Sequence, residues 1–255
     1  MAEPLLRVVG LSKNFSGLAA VDAVSLELDR GEVHAIIGPN GAGKTTLLNL
    51  VSGDLESGAG SILFRGHDIS HLPSEKRSRL GIGRTYQKTN IFPPFTVFEN
   101  CRLAAQSQMP RTLDWLHNAL DYTGVNQQAE RALATVGLSD RAMDVAAVLS
   151  HGEQRQLEIG MCLAAGPELL LLDEPLAGMG AEESIRMIEL LGRLATNHAI
   201  LLVEHDMDAV FQLARRLTVM ANGKVLATGT PAEIRSNREV QTAYLGREPN
   251  CRDLS

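Results

Sequence analysis

The sequence predicts an α/β fold interrupted by a helical insertion, and three observations carry that expectation. Short apolar runs at residues 33–37, 169–172 and 199–203 have the length and character of strands buried on both faces. Helical spacing at 47–51, 153–165 and 181–195 alternates with them. From about 97 to 149 strand signals fade, while 97–106, 113–122 and 128–136 all carry helical periodicity.

Taken in order, the chain opens with strand candidates at 5–9 and 24–28, the second alternating in and out. Gly38-Pro39-Asn40-Gly41-Ala42-Gly43-Lys44-Thr45-Thr46 then joins the 33–37 strand to the 47–51 helix. This is the G-x-x-x-x-G-K-[ST] phosphate loop in the strand-to-helix setting it requires. Its glycines let backbone N–H groups turn inward around a polyphosphate, and the following helix adds its positive end. Lys44 reaches the β- and γ-phosphates, and Thr45 offers a hydroxyl to Mg²⁺. Another strand is expected at 61–64, the helical insertion follows, and alternation resumes at 153. Residues 225–227 read as an edge or hairpin strand after a turn at Asn222-Gly223. Thr230-Pro231-Ala232-Glu233 reads as a capped helix start, and the tail from Arg247 as frayed.

A chain of 255 residues can bury a substantial core, and its formal charge of −6 argues against holding nucleic acid by bulk electrostatics. Glu75-Lys76-Arg77-Ser78-Arg79 is a local basic patch, equally a solvated helix face. Cys101, Cys162 and Cys251 stand apart with no C-x-x-C pair, so neither a zinc site nor a disulfide framework is expected, and a reduced setting fits. No apolar run approaches the ~20 residues that cross a bilayer, and the N-terminus lacks the order of a secretory signal.

The 169–172 run ends in Asp173-Glu174. A buried strand explains its leucines but not two adjacent carboxylates at the end where ligands of open α/β sheets collect. Asp173 suits a Mg²⁺ contact, and Glu174 suits a base that orients and deprotonates water.

At this point the sequence resembles the ATP-binding cassette (ABC) family over nearly its whole length. The motifs stand in the family's order: Phe15, the phosphate loop, Gln87 in Arg84-Thr85-Tyr86-Gln87, Leu149-Ser150-His151-Gly152-Glu153-Gln154, then Asp173-Glu174, and His205 in Glu204-His205-Asp206. The resemblance implies a P-loop nucleoside triphosphatase with a RecA-like core, an antiparallel β subdomain and a helical subdomain. One cassette then occupies the chain, with core and β subdomain at 1–94 and 151–246, the helical subdomain at 95–150 and a tail at 247–255. It implies that Phe15 stacks on adenine, that Gln87 touches Mg²⁺ and the attacking water, and that His205 hydrogen-bonds the γ-phosphate. It also implies a head-to-tail dimer with a second cassette, in which ATP on one phosphate loop meets Ser150, Gly152 and Glu153 of the opposing signature. Three residues depart from the commonest pattern: His151 replaces a glycine, Glu153 a glutamine, and Gly180 an aspartate.

Gly81-Ile82-Gly83-Arg84-Thr85-Tyr86-Gln87, Glu204-His205-Asp206-Met207 and Tyr244-Leu245-Gly246 look like the ATP-binding subunit of branched-chain amino acid uptake systems. A bulky residue at the position of His151 is common in that group. The resemblance implies transmembrane permease subunits, a second cassette that is usually different, an indirect link to a periplasmic solute-binding protein, and a peripheral seat on the cytoplasmic face of the bacterial inner membrane. The permease contact is expected after Gln87, around Ile91-Phe92-Pro93-Pro94-Phe95. Uptake of urea or amides, lipopolysaccharide export, and a soluble P-loop enzyme remain as alternatives.

Overall fold

The apolar runs form the middle of a six-stranded sheet. The computed structural model describes residues 3–109 and 122–245. Along them lie β1 (Leu6–Phe15), β2 (Leu18–Leu28), β3 (Val33–Ile37), α1 (Lys44–Ser52), β4 (Ala59–Phe64), β5 (His67–Asp68), α2 (Ser74–Leu80) and β6 (Ile82–Arg84). The helices α3 (Val97–Gln106) and α4 (Thr123–Val136) follow, then α5 (His151–Ala164), β7 (Leu169–Asp173), α6 (Ala181–Leu194), β8 (Ala199–Val203) and α7 (Met207–Leu213). The described part closes with β9 (Arg216–Ala221), β10 (Lys224–Gly229), α8 (Pro231–Ser236) and α9 (Arg238–Leu245). The helix expected at 113–122 falls, but for Tyr122, outside the described residues, as do Cys251 and the tail from 247.

The larger sheet has the order β10-β9-β3-β8-β7-β6, all parallel except the β10 edge, which returns antiparallel on β9. Alternate residues of its central strands enter different cores. Ala35, Ile37, Leu170, Leu172, Ile200 and Leu202 pack with α3 to α6. Ile36, Leu169, Leu171, Leu201 and Val203 pack with α1 and the strands β1, β2 and β4. That double burial explains why these strands are apolar up to their ends but for His34, whose buried ring bonds the Glu27 carbonyl (3.1 Å) and the Thr218 hydroxyl (2.8 Å). The smaller sheet, β2-β1-β4-β5, is antiparallel and covers α1.

The helices begin where the caps dictate. Thr96, Ser150 and Thr230 accept from the N–H three residues on, and Glu99, Glu153 and Glu233 reach back, making three capping boxes. α5 packs its apolar face on α3 and α4. The strand β9 and the helix α7 were not foreseen. α7 is only seven residues long, too short for its periodicity to show.

The basic stretch at 75–79 has a divided role. Arg77 is 2% exposed and is no part of a solvated face. Its guanidinium donates to the carbonyls of Leu50 (2.8 Å) and Val51 (2.8 Å) at the end of α1, and to Ser70 (2.9 Å) and Leu72 (2.8 Å). One planar fork thus adds donors to the last carbonyls of α1, of which that of Leu50 also accepts from the Gly53 N–H at 3.3 Å. Arg77→Leu is expected to lower stability by about 3 kcal/mol, measured as a drop in urea midpoint at unchanged m-value.

Candidate active site

Parallel strands bring their C-terminal ends to one edge, and the chemistry-bearing residues follow from that. The phosphate loop leaves β3, Gln87 follows β6, Asp173 ends β7, and His205 lies just beyond β8. Asp173 pairs in register with Val203, and so does Ile36, which places the loop root and both acids within two strands of each other.

The loop approaches other backbone too closely for side chains. A Cβ on Gly43, whose φ is +99°, would lie 2.2 Å from the Ala20 carbonyl, and one on Gly38 would lie 2.2 Å from that of Met220. Gly43 is also the N-cap of α1 and has no side chain to cap it, and no acidic residue stands in the first turn. The first-turn donors of Lys44, Thr45 and Thr46 therefore face the cavity uncapped, which is the arrangement of an anion site.

That cavity, about 720 Å³, is lined by Asn40 to Thr46, Gln87, Glu174 and His205, with Leu18, Ala19, Ala20 and Asn222 closing it. Lys44 donates to the carbonyls of Gly38 (2.7 Å) and Pro39 (3.1 Å), so these two residues form the loop root that holds the ammonium. Burial lowers the Lys44 pKa, while Glu174 and Asp173 pull it up. Glu174 sits at φ +50°, a left-handed conformation uncommon for a non-glycine residue and typical of strained functional positions. Its carboxylate accepts from Gln87 Nε2 at 3.3 Å and lies 3.9 Å from His205 Nδ1.

Asp173 is 1% exposed. Its Oδ1 accepts from the Thr45 hydroxyl at 3.4 Å, and Oδ2 has no hydrogen-bond partner, with Arg84 4.0 Å away. Burial pushes this carboxyl above its ordinary range, against the pull of Arg84 and Thr45. A buried carboxylate oxygen that accepts no hydrogen bond, beside a hydroxyl, is the hard-oxygen donor set that Mg²⁺ takes. Among the described residues no cluster of three or more His, Cys, Asp or Glu stands ready to hold a metal alone. Phosphate oxygens and water would complete such a shell.

One residue foreseen for this site lies differently. Phe15 is half exposed under Lys13, 5.7 Å from the ring centroid, and does not line the cavity. Leu18, across the same hairpin turn and 73% exposed, does. The signature residues form a second cavity of about 340 Å³, which shares no lining residue with the first. There Ser150 Oγ donates to Glu183 at 3.2 Å, and the Ser150 N–H donates to Glu153 at 2.8 Å. Arg141 holds the other Glu153 oxygen at 2.6 Å. Gly152 lies close under the Glu183 side chain, whose carboxylate would have to shift to admit a Cβ, 2.6 Å from its oxygen. The His151 ring packs over Gly178.

Sequence reasoning passed over Arg84, Glu204, Arg141 and Glu183. Glu204 is 1% exposed and accepts from the N–H of Leu176 (2.9 Å) and His205 (3.0 Å), tying the loop after Glu174 to the loop of His205. Burial raises its pKa, and those backbone donors oppose the shift. The side chain of Arg84 joins Asn49, Ser52 and Asp54 and lies over the Tyr86 ring. Glu204 had a signal, its place beside His205; the others had none in spacing.

The family model described as ABC transporter matches residues 21–177, well over half of the chain. The chain belongs to the ABC transporter family. It is a transporter ATPase, and a second model, described as branched-chain amino acid ATP-binding cassette transporter, matches 224–249. The high-affinity branched-chain amino acid transport ATP-binding protein LivG of Salmonella typhimurium is 41% identical over 253 residues, covering 96% of this chain and 99% of that one. The corresponding protein BraF of Pseudomonas aeruginosa is 37% identical, with the same coverage. Among solved structures, a nucleotide-free cassette from an ABC transporter and an ABC transporter cassette in its ADP conformation each superpose with TM-score 0.85. Both are 28% identical and cover 96% of this chain and 100% of theirs. The expected fold class, ATPase activity and nucleotide binding therefore hold.

Glu174→Gln is expected to keep ATP binding within a few-fold and to slow hydrolysis by at least about 100-fold, read by nucleotide titration beside phosphate release. Asp173→Asn removes a buried charge that Arg84, 4.0 Å away, and Thr45 compensate only in part. The folded state binds the Asp173 proton more tightly than the unfolded chain, so ionisation costs stability as pH rises through the carboxylate range. At pH 7 the nucleotide-free variant should therefore be more stable by about 1 kcal/mol while losing Mg²⁺-dependent nucleotide affinity, measured by thermal unfolding with and without Mg²⁺ and nucleotide.

Proposed function

We propose that this chain powers uptake of branched-chain amino acids, working from a peripheral seat on the cytoplasmic face of a bacterial inner membrane. The observation that carries the ATPase half is the gathering of Lys44, Thr45, Gln87, Glu174 and His205 around one cavity, with Asp173 bonded beneath. The cargo rests on the match at 224–249 and on relatives that cover the whole chain. No described helix is long and apolar enough to cross a membrane, so the pathway for solute belongs to permease subunits.

In the reaction, N–H groups of the phosphate loop and Lys44 hold the β- and γ-phosphates. Thr45 and Asp173, with help from Gln87, would hold Mg²⁺, which would supply charge neutralisation at those oxygens. Glu174 takes a proton from the water that attacks the γ-phosphorus, as the bond to the β-phosphate oxygen breaks. Gln87, already bonded to Glu174, orients that carboxylate, and His205 reaches the departing phosphoryl group. Leu18 covers the nucleoside side of the cavity, with Phe15 available across the hairpin turn.

The separation of the signature cavity from the phosphate cavity supports a head-to-tail pair of cassettes, each completing the other's site through Ser150, Gly152 and Glu153. On binding, Ser150 exchanges Glu183 for the γ-phosphate of the facing cassette. A heterodimer is the preferred pairing, with a homodimer as the other outcome.

The permease contact is placed on the segment after Gln87. Phe92 and Phe95 stack at 5.6 Å and stay 50% and 42% exposed. Backbone bonds from Ala146 to Phe95 (2.8 Å) and from Ala147 to Pro93 (3.0 Å) bring the exposed Val145 and Val148 alongside. An apolar patch so placed suits a short amphipathic helix from a membrane subunit.

The test is ATP-driven accumulation of labelled leucine, isoleucine and valine in vesicles holding the chain with its permeases, second cassette and solute-binding protein. Accumulation of urea instead, or of no solute, would overturn the assignment. Phe92→Asp with Phe95→Asp should leave the ATP affinity of the isolated chain near its parent value and reduce uptake by about tenfold or more, with less cassette recovered on the vesicles.

A further inference from the structure

Beyond Thr85, whose N–H still bonds Leu171, the chain leaves the sheet, and the backbone near Gln87 is held instead by two side chains of α5. Arg155 donates to the carbonyl of Tyr86 at 2.6 Å and also to that of Gln87. Glu158 accepts from the N–H of Tyr86 at 3.0 Å and of Asn90 at 3.4 Å. The two are bonded to each other at 3.0 Å, and their side chains are 5% and 4% exposed. A stretch of irregular backbone, whose residues Tyr86, Gln87 and Asn90 are themselves exposed, is thus gripped on both polar edges by a buried ion pair.

An ion pair so buried is a poor way to gain stability, since desolvation offsets most of the attraction and apolar replacements are often neutral. It is a good way to fix geometry, because guanidinium and carboxylate each accept few arrangements. The held segment carries Gln87, whose amide donates to Glu174. The holding residues lie one and two turns into the helix that Ser150 caps. We propose that Arg155 and Glu158 are positioning residues that set Gln87 against Glu174 and tie that setting to the orientation of the signature helix. On this view, displacement of α5 when Ser150 engages its phosphate is passed to Gln87 through two side chains. Neither lines the phosphate-loop cavity. The inference rests on the ATPase reading above.

The assembled transporter provides the test, with ATP turnover followed for the parent, Glu158→Gln, and the paired replacement Arg155→Met with Glu158→Leu. The paired variant removes both charges at similar volume, so it stays interpretable if Glu158→Gln folds poorly. The expected result is a fall in kcat of about tenfold or more, KM for ATP within about twofold, and a melting temperature near the parent's. Hydrogen exchange should speed at Tyr86 and Asn90 and stay slow in β7. In a Gln87→Ala background the same replacements should cost little more, because the effect runs through Gln87. Parent-like turnover in both variants, or losses that multiply with Gln87→Ala, would overturn the proposal. A parent with no turnover would overturn the ATPase reading itself, a separate failure.

Discussion

The parallel strands β3, β7 and β8 give alternate residues to two different cores, and most of the molecule follows from that one demand. A strand buried on both faces admits a polar side chain inside it only where partners are built for it, as for His34 between Glu27 and Thr218, and otherwise leaves charge to its ends. In a parallel sheet those ends lie on one edge. Asp173 at the end of β7, Glu204 after β8 and the glycine-rich loop after β3 are consequently neighbours, although Glu204 stands 166 positions beyond Gly38 (204 − 38). The catalytic edge is where the folding problem leaves room for charge.

That location has an electrostatic character. Asp173, Glu158 and Glu204 are each almost fully buried, and burial pushes each carboxyl upward. Their compensation differs. Glu158 and Glu204 are held by backbone N–H donors, and Glu158 also by Arg155. They are settled groups that anchor loops. Asp173 alone of the three keeps an oxygen without a hydrogen-bond partner among the described residues. The difference in partners separates a group that organises the site from one that waits for a cation.

Much of this was legible in the residue order. Lys44 and Thr45 announce themselves by spacing, and Asp173-Glu174 by interrupting a leucine run. Strand β8 and helix α3 begin and end where periodicity places them. What stayed hidden is mostly side chain to backbone contact across long stretches of chain. Arg155 meets Tyr86 from 69 residues away, and Arg77 meets Leu50 from 27. A carbonyl has no sequence identity, so no pattern of residue types marks the arginine that will find it. Phe15 shows a different limit. Its place in the motif order implies a ring on adenine, while the turn through Ser16 and Gly17, both at positive φ, gives the wall of the cavity to Leu18.

The turn at Asn222-Gly223 does more than reverse β9 into β10. Its Gly223 peptide receives the Asp22 amide at 2.8 Å and donates to the Ala42 carbonyl at 3.1 Å. One residue therefore laces the phosphate loop to both sheets at once. Conformational freedom in that loop is surrendered when the polypeptide first folds, and it need not be surrendered again each time a nucleotide arrives. A motor that cycles repeatedly benefits from a grip that is already stiff when empty.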